Sequence, residues 1–293
     1  MGLNLIVLVK QVPDTQNITG NAMKEDGTVN RGALPAIFNP EDLHALEAAL
    51  QLRESIPGSR VHVLTMGPPA AVQVLKESLY RGADFVALIS DRRFAGADTL
   101  ATSYALKCAI EKLSPYDIVL CGRQAIDGDT AQVGPQTAEK LGVNQITCVS
   151  KIESVDEKKK EIIATRSIEG GFEKIKAKLP VLLTLTDENY LPRPASAIKM
   201  MTFKNATTEM SDSEFDQSYI TSGADLKPQN AISLWDINAI GADPESCGLS
   251  GSPTKVKTID LVVLKSEEIR MIDNSDDAIS DMVHELIADH TLG

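Results

Sequence analysis

The sequence predicts an α/β protein: a doubly wound, mostly parallel sheet with an added hairpin and a C-terminal arm. Short apolar runs of the buried-strand type recur through residues 1–150, helix-period segments separate them, and turn residues mark nearly every junction. With 293 residues, the chain can hide roughly three-quarters of its extended surface, as one large domain or two modest ones. At 43% hydrophobic it is not disordered as a whole.

The first strand falls at residues 5–9, where Leu5-Ile6-Val7-Leu8-Val9 is apolar at every position, as a strand covered on both faces must be. Runs at 61–66, 85–90 and 118–121 repeat it. The first helix opens at Asn39-Pro40-Glu41-Asp42: a capping residue, a proline at the first helical position and acids in the first turn. Leu43, Leu46 and Leu50 then share a face. Val72, Leu75 and Leu79 do the same after Gly67-Pro68-Pro69, and Leu100, Tyr104 and Cys108 after Ala97-Asp98.

Residues 151–160 read as a polar turn between strands at 146–149 and 161–165, a hairpin tipped by Asp156-Glu157-Lys158. A further buried strand falls at 181–186. Residues 205–230 are rich in Ser, Thr and Asp, the composition of a linker or of an arm lying on another body. A strand at 256–264 and a helix at 278–287, with Ile279, Met282, Val283 and Leu286 along one side, complete the chain. The expected division is an α/β domain over 1–204 and an extension over 205–293.

Charge divides at the same place. Residues 1–204 carry 24 acidic and 24 basic side chains, whereas residues 205–293 carry 17 acidic against 5 basic, the whole net charge of −12. Such a tail repels polyanions and no basic stripe compensates, which argues against a nucleic-acid partner. No apolar run reaches the roughly 18–20 residues of a membrane span, and the N-terminus lacks the basic region and cleavage site of a secretory signal. Cys108, Cys121, Cys148 and Cys247 lie far apart, as reduced and mostly buried thiols would. A cytoplasmic protein is expected.

The segment richest in chemistry is Cys121-Gly122-Arg123-Gln124-Ala125-Ile126-Asp127-Gly128-Asp129-Thr130-Ala131-Gln132-Val133-Gly134-Pro135-Gln136. It starts where a strand ends and runs into a helix ending near Leu141-Gly142, with Asp129 or Thr130 as the cap. A glycine-rich loop there brings backbone N–H groups and a helix N-terminus together, an anion site suited to a pyrophosphate, and Arg123 could add a charged bond. The spacing matches neither G-x-G-x-x-G nor the P-loop, and glycines also serve ordinary α/β turns. Lys10-Gln11-Val12-Pro13-Asp14 and Met66-Gly67-Pro68 should reach the same sheet edge. Asn39 could touch an adenine or ribose there, or simply cap its helix.

The residues offer no protein-borne catalyst. His44, His62, His284 and His290 have no metal-ligand spacing, His62 reads as a core residue, and no nucleophile elbow is present. Asp127 and Asp129 could pair as acid and base, although capping or hydroxyl binding is the simpler role. Chemistry would have to come from a cofactor.

Residues 122–134 resemble the G-[KR]-Q-A-I-D-x-D loop of electron transfer flavoprotein beta subunits, which wraps the phosphates of an adenine nucleotide on a Rossmann-like fold. Ala164-Thr165-Arg166-Ser167-Ile168-Glu169-Gly170-Gly171-Phe172-Glu173, followed by Pro180-Val181-Leu182-Leu183-Thr184, is similar to the family's second signature. Val9-Lys10-Gln11-Val12-Pro13-Asp14, Asn39-Pro40 and Gly251-Ser252-Pro253 fit it too, so the resemblance spans most of residues 1–265. It implies a heterodimer with an alpha subunit carrying the electron-transferring FAD. The nucleotide site would comprise Leu8, Asn39, Pro40, Glu41, Asp42, Met66 and residues 122–133, with Lys10 and Gly67 added from their place in the loops. The dehydrogenase-recognition stretch would fall near residues 187–201, with Leu191, Pro192, Arg193, Ala197, Ile198 and Met200 as docking residues. Many relatives carry a protruding leucine as the anchor; Ala197 or Ile198 stands in that stretch here. The acidic arm and last helix would wrap the alpha subunit.

The family's two branches differ in this site. One holds AMP and relays electrons from acyl-CoA dehydrogenases. The other holds a second FAD, which accepts hydride from NADH and bifurcates the electrons between the alpha-subunit side and a low-potential acceptor such as ferredoxin or flavodoxin. Residues 9–15 and 125–135 resemble the bifurcating branch, and relatives with AMP more often carry a bulkier acidic residue where Gly128 stands. Two readings outside the family are a stand-alone adenine-nucleotide sensor, which would need no embracing arm, and an ATP-hydrolysing enzyme, which would need a triphosphate motif.

Overall fold

The computed structural model describes residues 2–14, 34–186, 189–208, 232–254 and 271–288. In chain order the elements are β1 (Asn4–Leu8), β2 (Gln11–Pro13), β3 (Ala36–Phe38), α1 (Pro40–Ser55), β4 (Arg60–Met66), α2 (Val72–Arg81), β5 (Phe85–Ile89), α3 (Thr99–Lys112) and β6 (Ile118–Gly122). There follow α4 (Val133–Leu141), β7 (Asn144–Asp156), β8 (Glu161–Ile168), β9 (Gly171–Lys178), β10 (Val181–Leu185), α5 (Ala197–Phe203), β11 (Ser233–Trp235) and α6 (Asp276–Ala288).

Nine strands form one sheet in the order β11-β5-β4-β1-β6-β10-β7-β8-β9, and β2 pairs with β3 in a small hairpin. From β11 to β7 every pair is parallel; β8 and β9 are antiparallel additions. This is the expected doubly wound sheet. The unbroken apolar run of β1 has a direct cause. Leu5 and Val7 enter a core cluster with Leu46 of α1 and Leu75 of α2, while Ile6 and Leu8 enter a second one with Ala105 of α3 and Ala138 of α4. Both faces are covered, so neither can be polar.

Three expectations need correction. Residues 151–156 are not a turn: β7 runs on to Asp156, only residues 157–160 turn, and β9 adds a third antiparallel strand. The antiparallel strands carry charge on their outer faces, where Glu161 pairs with Lys176 and Lys178 and Glu153 with Lys151, so the segment reads as polar loop while pairing as sheet. Lysines along an edge strand also discourage pairing with other chains. In α3 the buried residues are Ala101, Ser103, Ala105, Leu106, Cys108, Ala109 and Ile110, so of the expected face Cys108 is buried while Leu100 is 39% exposed.

The third concerns the division at 204/205. β11 extends the sheet beside β5, and Trp235, Ile237, Ile240 and Cys247 are buried in the second core cluster, so residues 232–254 belong to the α/β body. The helix expected at 278–287 is present as α6 and has no buried residue. The expected strand at 256–264 lies outside the described residues, as do residues 209–230 of the expected arm.

Candidate functional site

The chain leaves β1 toward β4 and β5 on one side and returns to β6 on the other, so the sheet reverses winding between β1 and β6. Ligands of doubly wound sheets bind outside the carboxyl ends of the strands at such a point. A cavity of about 700 Å³ opens there, within the usual size range of small-molecule sites.

Of the residues expected in a nucleotide site, Leu8, Lys10, Asp42, Met66, Gly122, Arg123, Gln124, Ala125, Gly128, Asp129, Thr130, Ala131, Gln132 and Val133 line this cavity. Asn39, Pro40, Glu41, Gly67, Ile126 and Asp127 do not. Three of that second group fasten the loop from behind. Asn39 makes no side-chain capping bond; its Nδ2 donates to the Gln124 carbonyl at 2.9 Å and its Oδ1 accepts the Ile126 N–H at 3.2 Å. Asn39 thus stands at the cap position of α1 as expected, while its side chain serves the loop after β6. Glu41 accepts the Gln124 N–H at 2.9 Å and pairs with Arg123 at 2.7 Å. Asp127 pairs with Lys10 Nζ at 2.6 Å, tying the loop after β6 to the loop after β1.

Asp42 sits at the centre of this junction. One of its carboxylate oxygens accepts the Lys10 N–H and the other the Gly122 N–H, both at 2.9 Å. Burial pushes its carboxyl up to about 7 against the pull of these bonds and of Asn39. Burial likewise raises the thiol of neighbouring Cys121, which stays protonated and serves as packing. Asp127 and Asp129 do not act on each other: Lys10 engages the first, and the Gln124 amide donates to the second at 3.0 Å. Lys10 and Arg123, the two cations expected near phosphate, are each committed to a carboxylate.

The loop then turns sharply into α4. Asp129 and Ala131 hold φ of 46° and 51°, a left-handed conformation that costs on the order of 1–3 kcal/mol at a non-glycine residue and gathers at ligand sites. Backbone reversals of this kind form anion-binding nests. The cap of α4 is Gln132, not Asp129 or Thr130, and its side chain makes no capping bond; Oε1 instead accepts from Thr99 Oγ1 at 2.9 Å.

One wall was not anticipated from sequence. Phe94, Gly96 and Asp98 come from the β5–α3 connection, Thr99, Thr102 and Leu106 from the first half of α3, and Thr254 from the returning C-terminal segment. Asp98 caps α3 through the Leu100 and Ala101 N–H groups, and its other oxygen accepts the Thr254 N–H and hydroxyl. The Gly96-Ala97-Asp98 turn after a buried strand could have been read as a further loop on the same edge; nothing local marks Thr254.

The stretch expected to dock dehydrogenases lies elsewhere, across α1 and α2. Leu191 is 79% and Ile198 67% exposed, and Ala197 and Met200 also face solvent. Pro192 is half-buried, and Arg193 turns inward to Glu47 and Glu54 of α1. Residues 187 and 188 lie outside the described residues. Among the described residues no cluster of three or more His, Cys, Asp or Glu side chains is arranged for a metal ion, and no helix is long and apolar enough to cross a membrane.

Fold and site together define a doubly wound α/β protein with a glycine-rich loop fastened at its topological switch point. The electron transfer flavoprotein domain model matches residues 26–212. The electron transfer flavoprotein subunit beta of Clostridium acetobutylicum is 43% identical over 255 residues, 87% of this chain and 86% of the relative. The caffeyl-CoA reductase-Etf complex subunit CarD of Acetobacterium woodii is 42% identical, again over 87% and 86%. Protein FixA of Azotobacter vinelandii is 39% identical over 94% of this chain and 89% of its own length. The chain belongs to the electron transfer flavoprotein family, as a beta subunit.

Proposed function

We propose that this chain pairs with an electron transfer flavoprotein alpha subunit in the cytoplasm and holds FAD in the cavity between β1 and β6. Bound there, FAD would supply the two-electron acceptance from NADH and the one-electron deliveries, toward the alpha subunit and toward ferredoxin or flavodoxin, on which bifurcation depends. The residues of this chain would bind and orient it. Residues 128–133 line the cavity where a pyrophosphate would lie, while Asn39, Glu41 and Asp42 hold the backbone just before them, at Gly122, Gln124 and Ile126, and Asp127 ties the loop to Lys10. Leu8, Met66 and Val133 provide apolar lining. Leu191, Ala197, Ile198 and Met200 would meet an acyl-CoA or other flavin dehydrogenase.

The observation carrying this proposal is the loop itself: cavity-lining, strained at Asp129 and Ala131, and held by side chains from two other elements. The relative named as part of a caffeyl-CoA reductase-Etf complex supports coupling to a CoA-ester reductase. The deciding experiment is co-purification with the alpha subunit, denaturation, and quantification of released nucleotides. Two FAD and no AMP per heterodimer are expected; one FAD with one AMP would reduce the site to structural AMP binding in simple electron relay.

A further inference from the structure

The geometry points to Arg193 as a positioning residue that holds the docking segment in a preset shape, and this inference rests on the docking role proposed above. The Arg193 guanidinium reaches both α1 glutamates at once. Nε and Nη2 donate to the two Glu47 oxygens at 2.8 and 3.0 Å, Nη2 also donates to Glu54 Oε2 at 3.2 Å, and Nη1 bonds Glu54 Oε1. The Arg193 backbone N–H adds a bond to Glu47 at 3.2 Å. Glu47 is buried and Glu54 exposed, two helical turns apart on α1, so the fork closes over the edge of that helix.

α5 is fastened separately to α2. The Ser196 N–H donates to the Tyr80 carbonyl at 2.9 Å before the helix begins, and Lys76 Nζ donates to the Lys204 carbonyl at 3.1 Å just after it ends. Lys199, from the middle of α5, lies over the α2 terminus, where a Cβ added to Gly82 would come within 2.7 Å of its Nζ. Gly82 also holds φ of 119°, a conformation that favours glycine.

The arrangement separates two tasks within one segment. Charged and backbone groups face inward and are consumed by α1 and α2, while Leu191 and Ile198 are left outside. A loop held this way loses little further freedom when a partner binds, which is the main saving that preorganisation brings to an interface. A bidentate fork is needed for this; lysine would keep the charge and lose the geometry.

The test uses the intact heterodimer with a short-chain acyl-CoA dehydrogenase as electron partner, comparing Arg193→Gln, Arg193→Lys, Glu54→Gln and Leu191→Ala. Arg193→Gln should raise the apparent KM for the heterodimer about tenfold, with kcat unchanged and with FAD and AMP content as in the wild type. Arg193→Lys should fall between. Amide exchange across residues 189–204 should quicken in Arg193→Gln and in Glu54→Gln, the second variant being at the exposed end of the clamp and safe for folding. Unchanged exchange in both overturns the clamp. If Leu191→Ala raises KM and Arg193→Gln does not, docking stands and the positioning role fails. If neither moves KM, the docking role itself fails.

Discussion

The Gly122 N–H donates to Asp42 Oδ1 at 2.9 Å, and a Cβ on Gly122 would stand 2.7 Å from that same oxygen. The end of β6 therefore rests directly on the first turn of α1, and the bond and the missing side chain are two sides of one constraint. Gly122→Ala should displace Asp42 and Glu41 and cost about 1–3 kcal/mol, as overpacking does. Thermal unfolding measured beside wild type checks this; an unchanged midpoint would show that α1 yields freely.

Asp42 also makes stability depend on pH. Its carboxyl titrates near 7 when folded against 3.8 when unfolded, so between those values the native state holds the extra proton. This group's contribution is greatest below about pH 4 and declines as pH rises toward 7. Asp42→Asn should unfold earlier in urea at every pH, having lost an acceptor for one of two backbone N–H groups. The difference from wild type should narrow from pH 5 to pH 7.5. A constant difference across that range would place the Asp42 titration elsewhere.

Asp129→Ala should weaken nucleotide retention without unfolding the chain. The substitution removes the acceptor of the Gln124 amide and puts alanine at φ of 46°, where aspartate is better tolerated. Purified heterodimer should carry less nucleotide per mole, with the melting midpoint little changed once nucleotide is resupplied. Full retention would remove Asp129 from the binding loop.

Gly128 has no atom within 4 Å of the position a Cβ would take. Gly128→Glu should therefore fold normally, and any effect must arise from the ligand side. Released nucleotide is expected to shift from FAD toward AMP. Undiminished FAD would show that residue 128 does not separate the two ligands.

The parts of the fold that could be read from sequence are those where one physical cause dominates. β1, β5 and β6 are buried on both faces and leave apolar runs, and β4 keeps one apart from His62 and Thr65. In the outer half of β7, Ile152 and Val155 pack against the core while Lys151, Glu153 and Ser154 face outward, and the register with β8 shifts between Ile152 and Ser154, so residues 151–156 show no strand period. α3 packs through Leu106 and Ile110 together with Ala101, Ala105 and Ala109, and alanine scarcely marks a face. The glycine-rich loop was legible as a unit, but Asn39, the cap residue of α1, also fastens that loop through its side chain, which only its distance from Gln124 and Ile126 discloses. Thr254 was beyond reach because its partner, Asp98, lies 156 residues away.

That separation sets an order of events during synthesis. At roughly 5–20 residues per second, Thr254 is made on the order of 8–30 s after Asp98, long after β1, β6 and the glycine-rich loop exist. A nascent chain can thus assemble the glycine-rich loop and the facing residues 94–106 while Thr254 is still missing from the lining. The lining is completed only when the last core strand, β11, has joined the sheet and residue 254 has reached Asp98.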